Sequence, residues 1–241
     1  MHRFGARISM REMTKVVIIE TGVANLASVK AFAVRLGLEP IVSDKIVDVL
    51  EAPAVILPGV GAFGPAMERL SLLSLDEALR RRVEQGLPTA GICLGMQLFF
   101  EESEESPGIQ GLGIFRGNVK RLAGSLPLPQ LGWNRIEPES AAGLIESGWV
   151  YFANSYRVGE VEPASKAPLK GPTDSFMTQT AFDQVAVATA FYGEPFIAAL
   201  EAWQDGKPIL LLCQFHPELS GPYGTKLFSR WLDQNRIRRN V

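Results

Sequence analysis

"PTAGICLGMQLFFEES", residues 88–103, is apolar up to Ile92, sets Cys93 between Gly91 and Gly95, and then runs into a helical apolar pattern. A buried strand that turns into a helix at G-x-C-x-G has the form of a nucleophile elbow. The reactive side chain there stands on a strained turn, and small neighbours let the backbone pass. Cys93 would stand at a helix N-terminus, where free N–H groups and the positive dipole end favour thiolate over thiol, and where the Leu94 N–H can face an oxyanion. A lone buried structural cysteine is the competing reading. The paired glycines and the strand-helix junction favour the elbow.

Working outward, short apolar runs alternate with helical patterns: VVIIE (16–20), NLASVKAFAVRLG (25–37), EPIVS (39–43), AVILPG (54–59) and PAMERLSLLSLDEALRRRVEQG (65–86). Such alternation implies parallel strands joined by crossover helices, because a parallel pair needs a long connection. Gly37 and Gly86 fall where helix C-caps are expected. From about Gly111 to Trp203 the pattern is strand and turn, in GIFRGNVKRL (113–122), WNRIEP (133–138), VYFANSYRV (150–158), VAVATAFYG (185–193) and PFIAALEAW (195–203). This predicts an antiparallel extension. ILLLCQF (209–215) reads as one more buried strand, and Leu227, Phe228, Trp231 and Leu232 recur at helical spacing in a closing helix. The expected fold is α/β, three layers α/β/α, with a central mixed, mostly parallel sheet and an antiparallel extension.

With 241 residues, 46% of them hydrophobic and 21% charged, the chain can bury one full core. Residues 15–236 are expected to form a single domain, 1–14 a disordered extension and 237–241 a tail. A formal net charge of -2 gives no general attraction to nucleic acid or anionic membrane, and no apolar run approaches the ~20 residues of a membrane span. Two cysteines and two histidines make neither a disulfide framework nor an ordinary structural zinc site. The expected setting is the cytoplasm, with no metal and no cofactor.

A thiolate nucleophile normally works with an imidazole that holds its proton and returns it to the leaving group. His2 lies in the expected extension, which leaves His216 in FHPE (215–218). Pro217 biases His216 toward extended backbone, where residues two apart share a face, so Glu218 can orient the ring. Cys213, three residues before His216, would point the other way and reads as core. GVGAFG (59–64) matches G-x-G-x-x-G, but it does not follow the first strand and no acidic residue ends the next one. The better reading is a loop beside Cys93 whose N–H groups complete an oxyanion hole.

Placed together, TGVANLASVK (21–30), LPGVGAF (57–63), GICLGMQLFFEESEES (91–106), LPQLGWN (128–134), YFANSY (151–156), YGEPFIAALE (192–201) and QFHPELSG (214–221) resemble the class I glutamine amidotransferases. The nearest resemblance is to the glutaminase subunits of imidazole glycerol phosphate synthases. It runs from roughly Lys15 to Leu232. It implies a flavodoxin-like fold and glutamine hydrolysis to glutamate and ammonia by Cys93, His216 and Glu218. It further implies an oxyanion hole from Gly59, Val60, Gly61 and Leu94, and substrate contacts from Gln97, Glu105, Ser155 and Tyr156. Trp133 would face a partner, a cyclase subunit with a (β/α)8 barrel that receives the ammonia. Two positions depart from the family pattern: Asn154 stands where histidine is common and Leu219 where a basic residue is common. A glutaminase for another synthase (pyridoxal phosphate or anthranilate), a non-catalytic module of the same fold, and a cysteine peptidase or redox-sensing relative are the alternatives.

Overall fold

The first apolar run forms β1 (Thr14–Ile19), and its alternation divides the molecule: Val16 and Ile18 face one layer, Val17 and Ile19 the other. The computed structural model describes residues 13–22, 25–141, 143–159 and 182–237. Residues 1–12 of the expected extension and 238–241 of the expected tail lie outside these. β1 begins at Thr14 and Ile237 packs into the core, each one residue outside the 15–236 span.

Helix α1 (Leu26–Arg35) is capped by Asn25, whose side chain accepts the Ser28 N–H. Gly37 follows at φ 77 and turns the chain into β2 (Leu38–Ser43). After α2 (Ile46–Glu51) comes the buried β3 (Val55–Leu57). The long helical pattern that follows is two helices, α3 (Phe63–Leu72) and α4 (Leu75–Glu84), broken at Ser74 with φ 55. In one unbroken helix Leu70 and Leu75 would lie about 140° apart around the axis. The break lets both bury completely. Gly86 at φ 67 leads into β4 (Thr89–Ile92).

The helix expected through LFFEES is a single turn, α5 (Leu94–Gln97). It stops because the following carbonyls are taken by a returning segment: Leu112 N–H donates to the Leu98 carbonyl at 2.8 Å, and Ile114 and Phe115 both donate to that of Phe99. Short β5 (Glu102–Ser103) and β6 (Asn118–Arg121) pair alongside, followed by β7 (Gln130–Pro138), β8 (Gly148–Asn154) and β9 (Tyr156–Val158). The chain closes with β10 (Gln184–Tyr192), β11 (Glu194–Gln204), β12 (Lys207–Cys213) and α6 (Gly221–Gln234).

All twelve strands of the described residues join one mixed sheet whose main path is β2-β1-β3-β4-β12-β11-β10-β7-β8. The first five are parallel and form the doubly wound half; from β12 onward every neighbour on that path is antiparallel. This extension is as wide as the parallel part. Helices α1 and α6 cover one face, where Phe32 and Phe228 meet edge-on at 5.1 Å, and α2, α3 and α4 cover the other. That second layer is tied together by Arg82, fully buried in α4. Its guanidinium donates to the carbonyls of Val49, Ala52 and Pro88, at 2.6, 2.9 and 2.8 Å. Burial lowers its pKa to about 10.

Candidate active site

β4 and β12 are parallel neighbours at the centre of the sheet, with Ile92 opposite Cys213, so the residues that follow each strand emerge side by side. Beyond β4 comes Cys93 at φ 53 and ψ -112, a backbone conformation outside the ordinary wells of an L-residue. Its N–H donates to the Cys213 carbonyl at 2.7 Å, which pins the turn to β12. Three glycines make this turn possible. A Cβ on Gly95 would lie 1.9 Å from the Leu57 carbonyl oxygen, one on Gly59 2.5 Å from the Gly95 nitrogen, and one on Gly91 2.8 Å from the Gly95 oxygen.

Beyond β12, His216 is extended and nearly buried, and a single 3-10 turn follows at Pro217–Leu219. Its Nδ1 meets Glu218 Oε1 at 2.8 Å. Glu218 reaches the ring from this turn and not from a continuing strand, and the Arg35 guanidinium donates to the Glu218 carbonyl at 3.1 Å. Burial by itself would lower the His216 pKa; hydrogen bonds to Cys93 and Glu218, together with their charges, raise it to about 10. An imidazole in that state is a cation at neutral pH and a natural counter-ion for a thiolate. Cys213, fully buried, has its thiol pushed well above the ordinary range by desolvation and by the nearby Glu218 and Glu201 charges, so it stays protonated core.

The Gly59–Gly61 loop sits against the turn after Cys93, with Gly61 at φ 101. Leu94 opens a helical turn, so its N–H has no intrahelical partner. The far end of the loop rests on Glu105, whose Oε2 accepts the Phe63 N–H at 2.8 Å, while Ser106 Oγ accepts the Gly64 N–H at 2.9 Å. Gln97 is buried and donates to the Tyr156 carbonyl at 3.0 Å. Asn154 Nδ2 donates to that same carbonyl at 3.0 Å, and the Ser155 carbonyl accepts the Leu122 N–H at 2.9 Å. Thus Cys93, His216 and Glu218 come together beyond the ends of β4 and β12 with Leu94 and the Gly59–Gly61 loop against them, and Gln97 reaches the Tyr156 carbonyl, while Glu105 is tied to Phe63 at the far end of the loop and Ser155 to Leu122.

Trp133 is not in this cluster. It is 55% exposed on β7, edge-on to Tyr151 of β8, and Leu131 and Trp149 are exposed on the same two strands. β8 nevertheless reaches the site through its backbone. The Tyr151 carbonyl accepts the His216 N–H at 2.8 Å, its N–H donates to Ser220 Oγ at 3.0 Å, and the Ala153 carbonyl lies 3.9 Å from Cys93 Sγ. Leu219 is exposed on the 3-10 turn.

Gln214 and Ser220 also touch these residues and are not among the candidates from sequence. Gln214 is a polar residue at the end of an apolar run and two positions before His216, the interval that puts both on one strand face. That signal would have found it. Ser220 donates through Oγ to the His216 carbonyl at 2.7 Å, a local contact that the sequence pattern does not mark. Among the described residues no group of three or more His, Cys, Asp or Glu could hold a metal ion, and no helix is long and apolar enough to cross a membrane.

Residues 17–171 match the family model of the class-I glutamine amidotransferases. The imidazole glycerol phosphate synthase subunit HisH of Symbiobacterium thermophilum is 39% identical over 223 residues, covering 91% of this chain and 93% of that one. The HisH subunit of Oceanobacillus iheyensis is 33% identical, covering 92% and 100%. Among solved structures, a glutamine amidotransferase at 20% identity superposes with a TM-score of 0.65 over 91% of this chain and 98% of its own.

Proposed function

The chain belongs to the class-I glutamine amidotransferases and, within them, to the HisH subunits of imidazole glycerol phosphate synthase, and on that premise we propose how its residues hydrolyse glutamine and where the ammonia goes. The Cys93 thiolate attacks the side-chain amide carbon of glutamine. The negative oxygen that forms is met by the Leu94 N–H and the Gly59–Gly61 loop, where each good donor is typically worth about 3 kcal/mol of barrier. His216, as imidazolium, gives its proton to the departing nitrogen, which leaves as ammonia. Water, deprotonated by His216, then cleaves the glutamyl thioester; the electron pair of the C–S bond returns to sulfur and glutamate is released. Gln97, Glu105, Ser155 and Tyr156 hold the amino-acid end of the substrate.

What carries this reading is one arrangement: a cysteine on a strained turn beside a histidine whose Nδ1 meets a buried carboxylate at 2.8 Å. The outer face of β7 and β8 supports a partner. Leu131, Trp133 and Trp149 expose apolar area there, and the same β8 backbone holds the His216 backbone N–H and lies 3.9 Å from the Cys93 sulfur. The partner that fits the family is a (β/α)8 cyclase, which would take the ammonia as a nucleophile in histidine biosynthesis.

The test is glutamate release from glutamine by the purified chain, alone and with an imidazole glycerol phosphate synthase cyclase carrying its nucleotide substrate. Strong stimulation by the liganded cyclase supports the chemistry and the partner together. Turnover indifferent to the cyclase keeps the glutaminase and assigns it to another synthase, and no turnover in either case removes the activity.

A further inference from the structure

Gln214 is wholly buried at the end of β12, and a buried amide is costly unless its polar atoms are used. Its side-chain N–H group faces Cys93 Sγ at 3.7 Å, and its Oε1 accepts from Gln97 Nε2 at 2.9 Å. The direction of this chain of amides is fixed by chemistry. Gln97 Nε2 also faces the Tyr156 carbonyl at 3.0 Å, and a carbonyl only accepts, so that end of Gln97 must be the NH2. Its second hydrogen then requires an oxygen on Gln214, which turns the Gln214 NH2 toward the sulfur.

We propose that Gln214 is a further catalytic residue, an uncharged donor that holds the Cys93 sulfur in its thiolate form, and that Gln97 is the positioning residue that aims it. The assignment rests on Cys93 being the nucleophile of the glutaminase described above. A neutral thiol is a weak acceptor and a thiolate a strong one, so an amide N–H directed at sulfur lowers the thiolate more than the thiol. The same preference acts twice in the cycle, before attack and again when the thioester C–S bond breaks and its electron pair returns to sulfur. It also gives both hydrogens of the Gln97 amide a structural task, leaving only Gln97 Oε1 for substrate.

The titratable groups around Cys93 are His216, with Glu218 behind it, and the buried Cys213 of β12. The experiment uses the full chain with Cys213→Ala, so that one thiol remains, and follows carbamidomethylation by iodoacetamide as a function of pH. Gln214→Met keeps the volume and removes the donor; the midpoint for alkylation is expected to rise by about one pH unit, a tenfold loss of thiolate below it. Gln97→Met is expected to raise it as well, since the amide is then no longer aimed. An unmoved midpoint in Gln214→Met with an unchanged melting transition overturns the proposal. If Gln214→Met does not fold, Gln214→Glu keeps the acceptor for Gln97 and turns a carboxylate to the sulfur; a midpoint above the parent's supports the proposal and one at or below it overturns it. Alkylation needs no glutamine, so a chain that fails to release glutamate but shows the shift would lose the glutaminase reading and with it the catalytic role of Gln214, and keep only the donor at the Cys93 sulfur.

Discussion

Replacing Gly95 by alanine tests the architecture of the elbow with one carbon atom. The added Cβ would stand 1.9 Å from the Leu57 oxygen, 2.9 Å from the Leu57 carbonyl carbon and 3.3 Å from that of Pro58. All three are backbone atoms, so no side-chain rotation relieves the clash. Reaching even a 3.0 Å contact requires the end of β3 and the turn after Cys93 to separate by about 1.1 Å. Pro58 leads straight into the Gly59–Gly61 loop, so the movement falls on the proposed oxyanion donors. Displacements of about 1 Å at a reacting centre cost about 10²-fold, and losing one oxyanion donor about 10²–10³-fold. Glutamine turnover of Gly95→Ala is therefore expected to fall by about 10²–10³-fold. Overpacking costs roughly 1–3 kcal/mol, which for a chain of this size lowers the melting temperature by roughly 2–12 °C. Gly108→Ala is the control: φ is +85 and nothing lies within 4 Å, so it carries backbone strain alone, about 1–2 kcal/mol, with turnover unchanged. Glutamate release and calorimetry on both variants decide the matter. Turnover of Gly95→Ala within about twofold of the parent would refute the account of the elbow.

Cys93→Ala is expected to abolish glutamate release while Cys213→Ala keeps most of it, and His216→Asn to be as severe as Cys93→Ala; equal losses at the two cysteines would overturn the choice of nucleophile. Cys93→Gly should be about 1 kcal/mol more stable than Cys93→Ala in urea denaturation, because glycine relieves a strain of about 2–3 kcal/mol at φ 53 and gives back part of it in chain entropy and a lost methyl group. The His216 pKa is raised from 6.5 to about 10, so its protonation stabilises the fold fully below pH 6.5 and that contribution is lost as pH climbs toward 10. Denaturation midpoints measured across that window should decline in the parent and decline less in Cys93→Ala, where one of the two raising partners is gone. A slope that does not depend on Cys93 would count against the thiolate-imidazolium pair.

The doubly wound half was legible because its strands are short apolar runs and two of its helices, α1 and α4, end just before Gly37 and Gly86, residues whose positive φ leaves a local mark on the sequence. The extent of α5 was not. LGMQLFFEES has helical spacing, yet the carbonyls that would continue the helix are claimed by residues 112–115, a pairing between segments over ten residues apart that no local pattern encodes. Ser74 illustrates the same limit, since the break there answers to which leucines the sheet will cover. In the site, Cys93 and His216 could be paired from chemistry, because one scarce thiol needed one usable imidazole. Gln214 could not be paired in this way. Its partner Gln97 is 117 positions away, and only the alignment of β4 with β12 brings them together.

Strand β8 ends the main path of the sheet, and a terminal strand offers unpaired N–H and C=O groups on which another chain can add. Here the residues from His216 to Ser220 lie along that open side and take the Tyr151 carbonyl and N–H for themselves. The segment that carries His216 and Glu218 therefore also works as a selvedge that keeps the sheet from fraying into its neighbours. A substitution such as Ser220→Ala would loosen it, and turbidity at high protein concentration is expected beside any loss of turnover.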